Sequence, residues 1–346
     1  MLAASSFAFH VTYTCPLECA HCCFGSGPDV KDRLDPQAVI DMIDSLPEGI
    51  RMVAFTGGEP FLFGAHLVRF VAAAKARGYT TRVVTSAYFG TNPKAARMRM
   101  QPLQAAGLNE LSISWDDYHE AFVAFAAIRN VAEVAVEMGI TTAINCVLAD
   151  DSTWTRSRIL AEIGPVRDQL TVIAESQLNL TGRAEEELAD KPFKANGYLG
   201  PCPYVLTGPT LSAKNKLLAC CGVLPNMQRL VIEDNPRPDN IAPAIDRSFS
   251  NPLLLYLFLR GPYSLLRKIA NRYAISVPDG DRIGGNCEAC KLLFQLGDIE
   301  RHIDSVLEDE LETLAGELLL LDSLALLDPK GLQTVWGRES VVRIGL

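Results

Sequence analysis

The sequence predicts an α/β protein with a partial (β/α)6 TIM-like barrel over its first half and a C-terminal cysteine-rich α+β extension. Short β-branched, apolar stretches alternate with longer helical stretches up to about Ala184, where the alternation stops. In the remainder of the chain, Gly, Pro and Cys recur at short intervals. Hydrophobic residues make up 48% of the 346 positions and charged residues 21%, which is a globular composition with enough length for a large domain and a smaller one.

Six stretches have the length and the apolar, β-branched character of buried parallel strands. They are Phe7 to Thr14, Met52 to Phe55, Thr81 to Thr85, Glu110 to Ser114, Thr142 to Leu148 and Leu170 to Ala174. Six strand and helix units suit an incomplete barrel. A doubly wound open sheet would give nearly the same pattern and stays an alternative.

Five stretches between these strands have helical length and apolar spacing. They are Pro36 to Ser45, Ala65 to Arg77, Pro93 to Ala106, His119 to Met138 and Thr153 to Ile163. Gly78, Gly107 and Gly139 follow three of them, at the position where a helix end favours a left-handed residue.

We expect three segments: the barrel at 1–184, a cysteine-rich module at 185–300 and a helical segment at 301–346. The most apolar stretches are Pro252 to Leu259, which is too short to cross a bilayer, and Leu314 to Asp328, which carries three acidic residues. Both are interpreted as core or interface helices, and no membrane partner is expected.

The net charge and the cysteine content indicate which kinds of function and which cellular compartment to expect. The formal net charge of −9 argues against an extended nucleic-acid surface. The N-terminus has no basic segment followed by an apolar one, so no signal peptide is predicted and the expected location is the cytoplasm. Ten cysteines in a reducing compartment are better interpreted as metal ligands, catalytic groups or buried small side chains than as disulfides.

The stretch TCPLECAHCCF places Cys15, Cys19 and Cys22 in the spacing C-x3-C-x2-C, directly after the first predicted strand. The carboxyl ends of barrel strands are where such folds place their chemistry. Three thiolates are one ligand short of a structural zinc site or a fully ligated cluster. A [4Fe-4S] cluster held by three cysteines has one iron open, whereas a zinc site borrowing Cys23 or His21, or plain buried thiols, are the alternatives.

The second predicted strand runs into FTGGEPFLF, residues 55–63. Gly57 and Gly58 free the backbone to approach a ligand, Glu59 supplies an acceptor beside them, and Pro60 fixes the exit. Alone, this would be an ordinary turn. Its pairing with the three cysteines gives it a functional meaning.

Together these two motifs resemble the radical S-adenosylmethionine (radical SAM) superfamily, whose cysteine motif usually has an aromatic residue where His21 stands here. The resemblance implies that Cys15, Cys19 and Cys22 bind three irons of a [4Fe-4S] cluster. It also implies that SAM chelates the fourth iron and that the segment from Gly57 through Glu59 to Pro60 holds the methionyl amine. The reaction it implies is enzymatic: a 5′-deoxyadenosyl radical abstracts hydrogen from a substrate C–H.

The resemblance extends to two further strand ends. Ser114 and Asp116 match the family's Ser-x-Asp pattern and are candidates for contacts to the SAM carboxylate or ribose, although helix capping would explain them nearly as well. Thr85 and Ser86 stand where relatives often have Thr-Asn-Gly, and similar SAM contacts are expected of them.

The second set of cysteines resembles the twitch and SPASM modules of the same superfamily. Gly182-Arg183-Ala184 looks like the bridge into such a module, and Cys202, Asn215 and Cys220 match its opening, with Asn in place of Gly at a hairpin tip. Cys287 and Cys290 add a C-x2-C pair. The resemblance implies one auxiliary [4Fe-4S] cluster held by Cys202, Cys220, Cys287 and Cys290, with a four-thiolate zinc site as the alternative.

Cys23, Cys146 and Cys221 are left over. Cys146 is interpreted as a buried side chain. Cys221 neighbours a predicted ligand, so either Cys220 or Cys221 must point elsewhere, and a free Cys221 thiol is a candidate hydrogen donor to a carbon radical. Such a donor would suit an epimerase.

The expected function is hydrogen abstraction from a ribosomally synthesised peptide, leading to epimerisation or crosslinking, with flavodoxin or ferredoxin as electron donor. Dehydrogenation or rearrangement of a sugar or aminocyclitol is the second possibility. A non-catalytic iron-sulfur or zinc scaffold is the third, but an open iron beside GGEP would have no use in a scaffold.

Overall fold

The computed structural model describes residues 2–170, 172–191 and 197–324 of the chain. Within these ranges a single nine-stranded sheet forms the centre of the molecule. Its strands are β1 (Ser6–Thr12), β2 (Met52–Gly57), β3 (Thr80–Thr85), β4 (Glu110–Ser114), β5 (Thr141–Leu148), β6 (Val172–Gln177), β7 (Thr210–Leu211), β8 (Lys216–Leu218) and β9 (Val231–Asp234).

The first six strands lie side by side in the order β6-β5-β4-β3-β2-β1, and every pairing among them is parallel. A doubly wound sheet reverses its strand order at a switch point. This sheet does not, because each strand lies next to its predecessor. The predicted partial (β/α)6 barrel is therefore confirmed.

Thirteen helices are present in the described ranges. They are α1 (Pro36–Asp44), α2 (Ala65–Ala76), α3 (Pro93–Ala105), α4 (Asp117–Glu120), α5 (Phe125–Glu137), α6 (Arg156–Glu162), α7 (Arg183–Glu187), α8 (Ile241–Ser248), α9 (Pro252–Arg260), α10 (Pro262–Tyr273), α11 (Asn286–Gln295), α12 (Gly297–Glu300) and α13 (Ile303–Ser323). Short 3₁₀ turns complete the connections, including one at Pro60–Phe63 after β2.

The structure has two helices where the sequence predicts one. The stretch from His119 to Met138 is broken between α4 and α5, where Ala124 is extended with φ −75° and ψ 144°. The first turn is fixed by the Asp116 side chain, which caps α4, whereas α5 packs its apolar face on the sheet. The extended Ala124 therefore separates α4 from α5, and apolar spacing alone did not reveal the break.

The cysteine-rich extension is joined to the barrel through the sheet itself. Strand β7 pairs in parallel with β1, with Ala8 opposite Thr210 and Phe9 opposite Leu211. Strands β7 and β8 form an antiparallel hairpin, and Asn215 at its tip has φ 55°. The left-handed conformation predicted for Asn215 is confirmed.

Two apolar cores lie on the two parts of this sheet. The larger core packs the barrel helices on β1 to β6 and includes the fully buried Trp115 and Trp154. The smaller core packs α9, α10, α11 and α13 against residues that flank the hairpin, among them Leu206 and Ala219. Helix α13 is tied to it by the buried Glu310, which pairs with Arg260 and Lys268.

In the part of the chain that the structure describes, no helix has the length and apolar character needed to cross a membrane. The predicted apolar helix from Leu314 is the second half of α13, and its last four predicted positions, 325–328, lie outside the described residues.

The hairpin tip gives a test of the fold. Asn215→Gly should leave the thermal unfolding midpoint unchanged or slightly raised, whereas Asn215→Ala should lower it, because a left-handed Ala costs about 1–2 kcal/mol. Differential scanning calorimetry of both variants measures this. Equal midpoints for the two variants would contradict the left-handed tip.

Candidate active site

A cavity of about 310 Å³ lies at the carboxyl ends of the barrel strands. Strands β2 to β6 each contribute lining residues at or beside their carboxyl ends. The predicted site residues that line it are Cys15, Cys19, Cys22, Gly57, Gly58, Thr85, Ser86, Ser114 and Cys287. Glu59, Pro60 and Asp116 lie behind this wall and are almost completely buried.

The Gly57-Gly58 pair packs backbone against backbone with the end of β1. Gly58 N donates to Thr12 O at 2.6 Å, and Glu59 N donates to Thr14 O at 3.0 Å. A Cβ on Gly58 would lie 2.2 Å from Thr14 O, and one on Gly57 would lie 2.2 Å from Thr12 O. Only glycine fits at either position, because the obstacle is main chain and cannot rotate away.

The Glu59 carboxylate does not line the cavity, and both of its oxygens accept hydrogen bonds from protein groups. It accepts hydrogen bonds from Thr85 Oγ1 at 2.9 Å, from Ser86 N at 3.0 Å, from Ser86 Oγ at 2.6 Å and from Phe61 N at 3.2 Å. Burial raises the pKa of Glu59, although these donors oppose the shift. The face that the GGEP segment offers to the cavity is therefore its glycine backbone, and Thr85 and Ser86, which line the cavity beside it, hold that segment through Glu59.

The three motif cysteines sit on the loop after β1. Cys15 and Cys19 are buried and Cys22 is half-buried, with Ser26 N donating to Cys22 Sγ at 3.3 Å. Burial raises the pKa of Cys15 to about 12 and that of Cys19 further. These thiols therefore keep their protons until a metal displaces them, as metal-binding cysteines do.

Gly182 and Arg183 hold the cysteine loop from the opposite side. Arg183 Nη1 donates to Cys19 O at 2.9 Å, Arg183 Nη2 to Ser26 O at 2.6 Å, and Arg183 N to Cys22 O at 3.0 Å. A Cβ on Gly182 would lie 2.3 Å from Cys23 O. One arginine thus fixes three main-chain carbonyls of the loop, and its charge opposes the rise in pKa of Cys15 and Cys19.

Asp116 caps α4, which is one of the two roles expected of it. Its Oδ1 accepts from Tyr118 N at 3.0 Å and from His119 N at 3.1 Å. Both oxygens also face imidazole rings, those of His119 and His21. Ser114, two residues earlier, lines the cavity and is free to meet a ligand there.

The second cysteine set converges on Cys221. The neighbouring thiols of Cys220 and Cys287 hold the pKa of Cys221 well below its usual range. Burial and the neighbouring Cys221 raise the pKa of Cys202 to about 11. Burial and the charges of Cys202 and Cys221 also raise the pKa of Cys290. Cys221 therefore lies next to Cys202, Cys287 and Cys290, the three other members of the predicted ligand set.

Helix α11, which carries the C-x2-C pair, is fastened to the end of β6. Glu288 accepts hydrogen bonds from Leu180 N at 3.1 Å and Gly284 N at 3.0 Å, and Lys291 Nζ donates to Leu180 O at 2.5 Å. Both side chains are more than nine-tenths buried. This contact brings Cys287 to the cavity wall opposite the motif cysteines.

The spacing of the sulfurs bears on which metal centre they fit. Around a tetrahedral zinc, Zn–S bonds of about 2.3 Å place the sulfurs about 3.8 Å apart. Within the described ranges, Cys19, His21 and His119 form the one group of Cys, His, Asp or Glu whose ligand atoms all lie within 4.8 Å of one another. Neither predicted cysteine set is that tight, so both fit a cluster of several irons better than a single zinc.

Several functional contacts escaped the sequence analysis. Three sets of contacts join residues far apart in sequence: those of Glu288 and Lys291 with Leu180, those of Arg183 with three carbonyls, and that of His21 with Asp116. His119 pairs with Asp116 from only three residues away. The one available signal was local: Glu288 lies inside the C-x2-C pair, where a buried charge is unusual.

Gly58→Ala should disrupt the cysteine loop. The new methyl group would force Thr14 O away and cost about 1–3 kcal/mol of overpacking. We expect a lower thermal midpoint of the metal-free chain and fewer irons per chain after reconstitution, measured by calorimetry and colorimetric iron assay. Gly316→Ala is the matched control, because nothing lies within 4 Å of a Cβ there. A Gly58→Ala protein with the control's midpoint and iron content would contradict the close packing.

Arg183→Met should loosen the same loop from the other side. Two side-chain hydrogen bonds to partly buried carbonyls are lost, at a cost of about 2–4 kcal/mol. Arg183→Lys keeps the charge but cannot reach both carbonyls, so we expect it to lose most of that stability too, in calorimetry of the metal-free chain. Arg77→Met, at an exposed arginine, should change nothing. A lysine variant as stable as the wild type would show that charge, and not the fork of hydrogen bonds, holds the loop.

Comparison with known proteins supports the motif-based interpretation. Residues 9–156 match the model of the Radical SAM superfamily. The "Putative peptide biosynthesis protein YydG" of Bacillus subtilis (strain 168) is 26% identical over 153 residues, which are 43% of this chain and 47% of YydG. The chain thus matches about half the length of this relative.

Two solved structures share the fold. Streptococcus suis SuiB bound to S-adenosylmethionine superposes with a TM-score of 0.50 at 14% identity, over 74% of this chain and 66% of SuiB. The anSMEcpe structure with bound AdoMet and the Cp18Cys peptide has a TM-score of 0.50 at 12% identity, over 89% of this chain and 99% of its own.

The family match covers the strands that carry both motifs, and the structure brings those motifs to one cavity. The resemblance inferred from the cysteine spacing and GGEP is confirmed. Residues 9–156 of this chain belong to a radical SAM domain.

Proposed function

We propose that the chain is a radical SAM enzyme that modifies a ribosomally synthesised peptide by abstracting hydrogen from one of its C–H bonds. The observation that carries the proposal is the shared cavity, which is lined by three cysteines with cluster-like spacing, two glycines with exposed backbone and Cys287 of the second set. When bound, the cluster and SAM supply the radical chemistry, and the protein supplies placement.

The site residues fall into two groups: those that would contact the cluster or SAM, and those that would hold these residues in place. Cys15, Cys19 and Cys22 would hold three irons, and the Gly57-Gly58 backbone would receive the SAM amine. Ser114 faces the cavity and is suited to the carboxylate or ribose. Glu59 and Asp116 serve from behind, and Thr85 and Ser86 line the cavity but direct their hydroxyl groups to Glu59. This assignment moves Glu59 and Asp116 from direct contact with SAM to support.

In the second set we assign Cys221, in place of Cys220, as the fourth ligand of an auxiliary [4Fe-4S] cluster. The support is its contact with Cys287 and its influence on Cys202 and Cys290. A ligand thiolate has no hydrogen to give, so the hydrogen-donor role expected of Cys221 falls to another thiol. Cys23 lines the cavity, and burial raises its pKa well above the usual value, which keeps it protonated.

A peptide substrate is supported by the relatives. YydG is described as a peptide biosynthesis protein, and SuiB has been captured with its precursor peptide SuiA, again on a shared fold at 12% identity. Epimerisation and crosslinking both begin with the same abstraction. A protonated Cys23 facing the cavity favours epimerisation, in which a hydrogen is returned to carbon and the resulting sulfur radical takes up one electron from the external reductant and one proton from solvent.

The reaction can be tested with the reconstituted full chain, dithionite and SAM. We expect 5′-deoxyadenosine from the wild type and none from the Cys15/Cys19/Cys22→Ala variant, measured by liquid chromatography. Candidate peptides come from short reading frames beside the gene, incubated in D2O. Epimerisation adds a single deuterium, and crosslinking removes two hydrogens, both visible by mass spectrometry.

The Cys23→Ala variant distinguishes cleavage of SAM from the return of hydrogen to the peptide. It should still form 5′-deoxyadenosine but lose the deuterium incorporation, whereas Cys146→Ala, at a core cysteine of the fifth strand, should keep both. No SAM cleavage by the wild type under any condition would refute the enzyme assignment. Cleavage without any change in a peptide would refute the peptide assignment alone.

The ligand assignment of the second set has its own test. Cys221→Ser should lower the iron content after reconstitution from about eight to about four per chain, since one [4Fe-4S] cluster is lost. Cys220→Ser should leave it near eight. The reverse pattern, with iron lost from Cys220→Ser alone, would restore Cys220 as the ligand.

A further inference from the structure

The cavity contains a pair of histidines that the proposed function does not use. His119 Nδ1 lies 2.8 Å from Asp116 Oδ1, and His21 Nε2 lies 3.3 Å from Asp116 Oδ2. The two imidazole rings are 4.9 Å apart at 75°, and His21 stacks on Tyr118 at 4.7 Å. Both histidines line the cavity, so one carboxylate orients two imidazoles toward the same space.

Asp116 fixes which ring nitrogens are available. Both oxygens of the Asp116 carboxylate act as hydrogen-bond acceptors for these rings. The ring nitrogens that face it therefore carry hydrogen. The opposite nitrogens, His21 Nδ1 and His119 Nε2, are then the ones that have a lone pair available to a metal in a neutral imidazole.

His21 Nδ1 is buried and has no hydrogen-bond partner among the described residues. A buried acceptor without a partner is unfavourable, so this nitrogen is suited to accept a ligand from the cavity. Cys19 supplies a third donor: its sulfur and one nitrogen of each of the two histidines lie within 4.8 Å of one another. The three atoms come from the cysteine loop and from α4.

This donor set matches a mononuclear zinc site. Zinc binds thiolate sulfur and imidazole nitrogen, and three protein ligands leave the fourth position to water. Metal-bound histidines characteristically donate their other ring N–H to a carboxylate, which is what Asp116 receives from both rings here. Val147 N, at 3.3 Å from Oδ2, completes the support of that carboxylate.

We propose that the chain without its cluster binds one zinc-type divalent ion through Cys19, His21 and His119, with Asp116 orienting both imidazoles. Binding replaces the Cys19 thiol proton by the metal and involves no change of oxidation state. Cys19 is also one of the three motif cysteines, so the ion and the [4Fe-4S] cluster exclude each other. The site makes cluster assembly in this chain sensitive to zinc, and it arises because His21 replaces the aromatic residue usual at that position.

The test uses the full-length, metal-free chain under anaerobic conditions. Zinc stoichiometry and affinity are measured by competition with a chromophoric chelator, for the wild type, His119→Ala, His21→Phe and the control His66→Ala. His66 is an exposed histidine outside this group. The second cysteine set is unchanged in all four proteins, so any zinc that it binds cancels in the comparison.

We expect both His119→Ala and His21→Phe to bind one tight zinc fewer per chain than the wild type and His66→Ala. We also expect zinc added before reconstitution to reduce iron uptake in the wild type but not in His119→Ala. Equal zinc binding by the wild type and His119→Ala would overturn the proposal, because cysteines alone would then account for the ion. Iron uptake by His119→Ala without zinc shows that its fold and cluster site are intact, whatever the outcome for peptide modification.

Discussion

The structure depends most on the close packing of one loop, which carries Cys15, Cys19 and Cys22. Gly57 and Gly58 press against its start with main-chain contacts that no side chain would allow. Gly182 and Arg183 press against its end, and the arginine binds two of its carbonyls through the guanidinium group and a third through its own main-chain amide. The loop is thereby held between the second strand and the exit of the sixth.

That constraint explains how Cys287 of the second set comes to line the same cavity as the motif cysteines. The sixth strand end, which presents Arg183 to the first set, also receives Glu288 and Lys291 from the helix that carries Cys287 and Cys290. The sheet makes the same connection at its other side, where β7 pairs with β1. The extension is thus fixed to the barrel at two places, the exit of β6 and the β1 edge of the sheet.

Much of this arrangement followed from sequence because it rests on local patterns. Strand and helix alternation gave the barrel, and strand ends gave the common location of Cys15, Gly57 and Ser114, since parallel strands end at one edge. The left-handed Asn215 followed from the rarity of that conformation in other residues. What could not be predicted are contacts between distant residues. The adjacent positions of Cys220 and Cys221 do not indicate which sulfur lies beside Cys287. The sequence around Asp116 does not indicate that His21 pairs with it.

The most direct test of the account is electron paramagnetic resonance of the reduced, reconstituted chain with and without SAM, in the wild type and in a Cys202/Cys221/Cys287/Cys290→Ser variant. If Cys15, Cys19 and Cys22 hold a cluster with one open iron, adding SAM will change the spectrum in both proteins, and the variant will show that cluster alone. A spectrum unaffected by SAM in both proteins would contradict the account, because the cluster would then have no open iron facing the cavity.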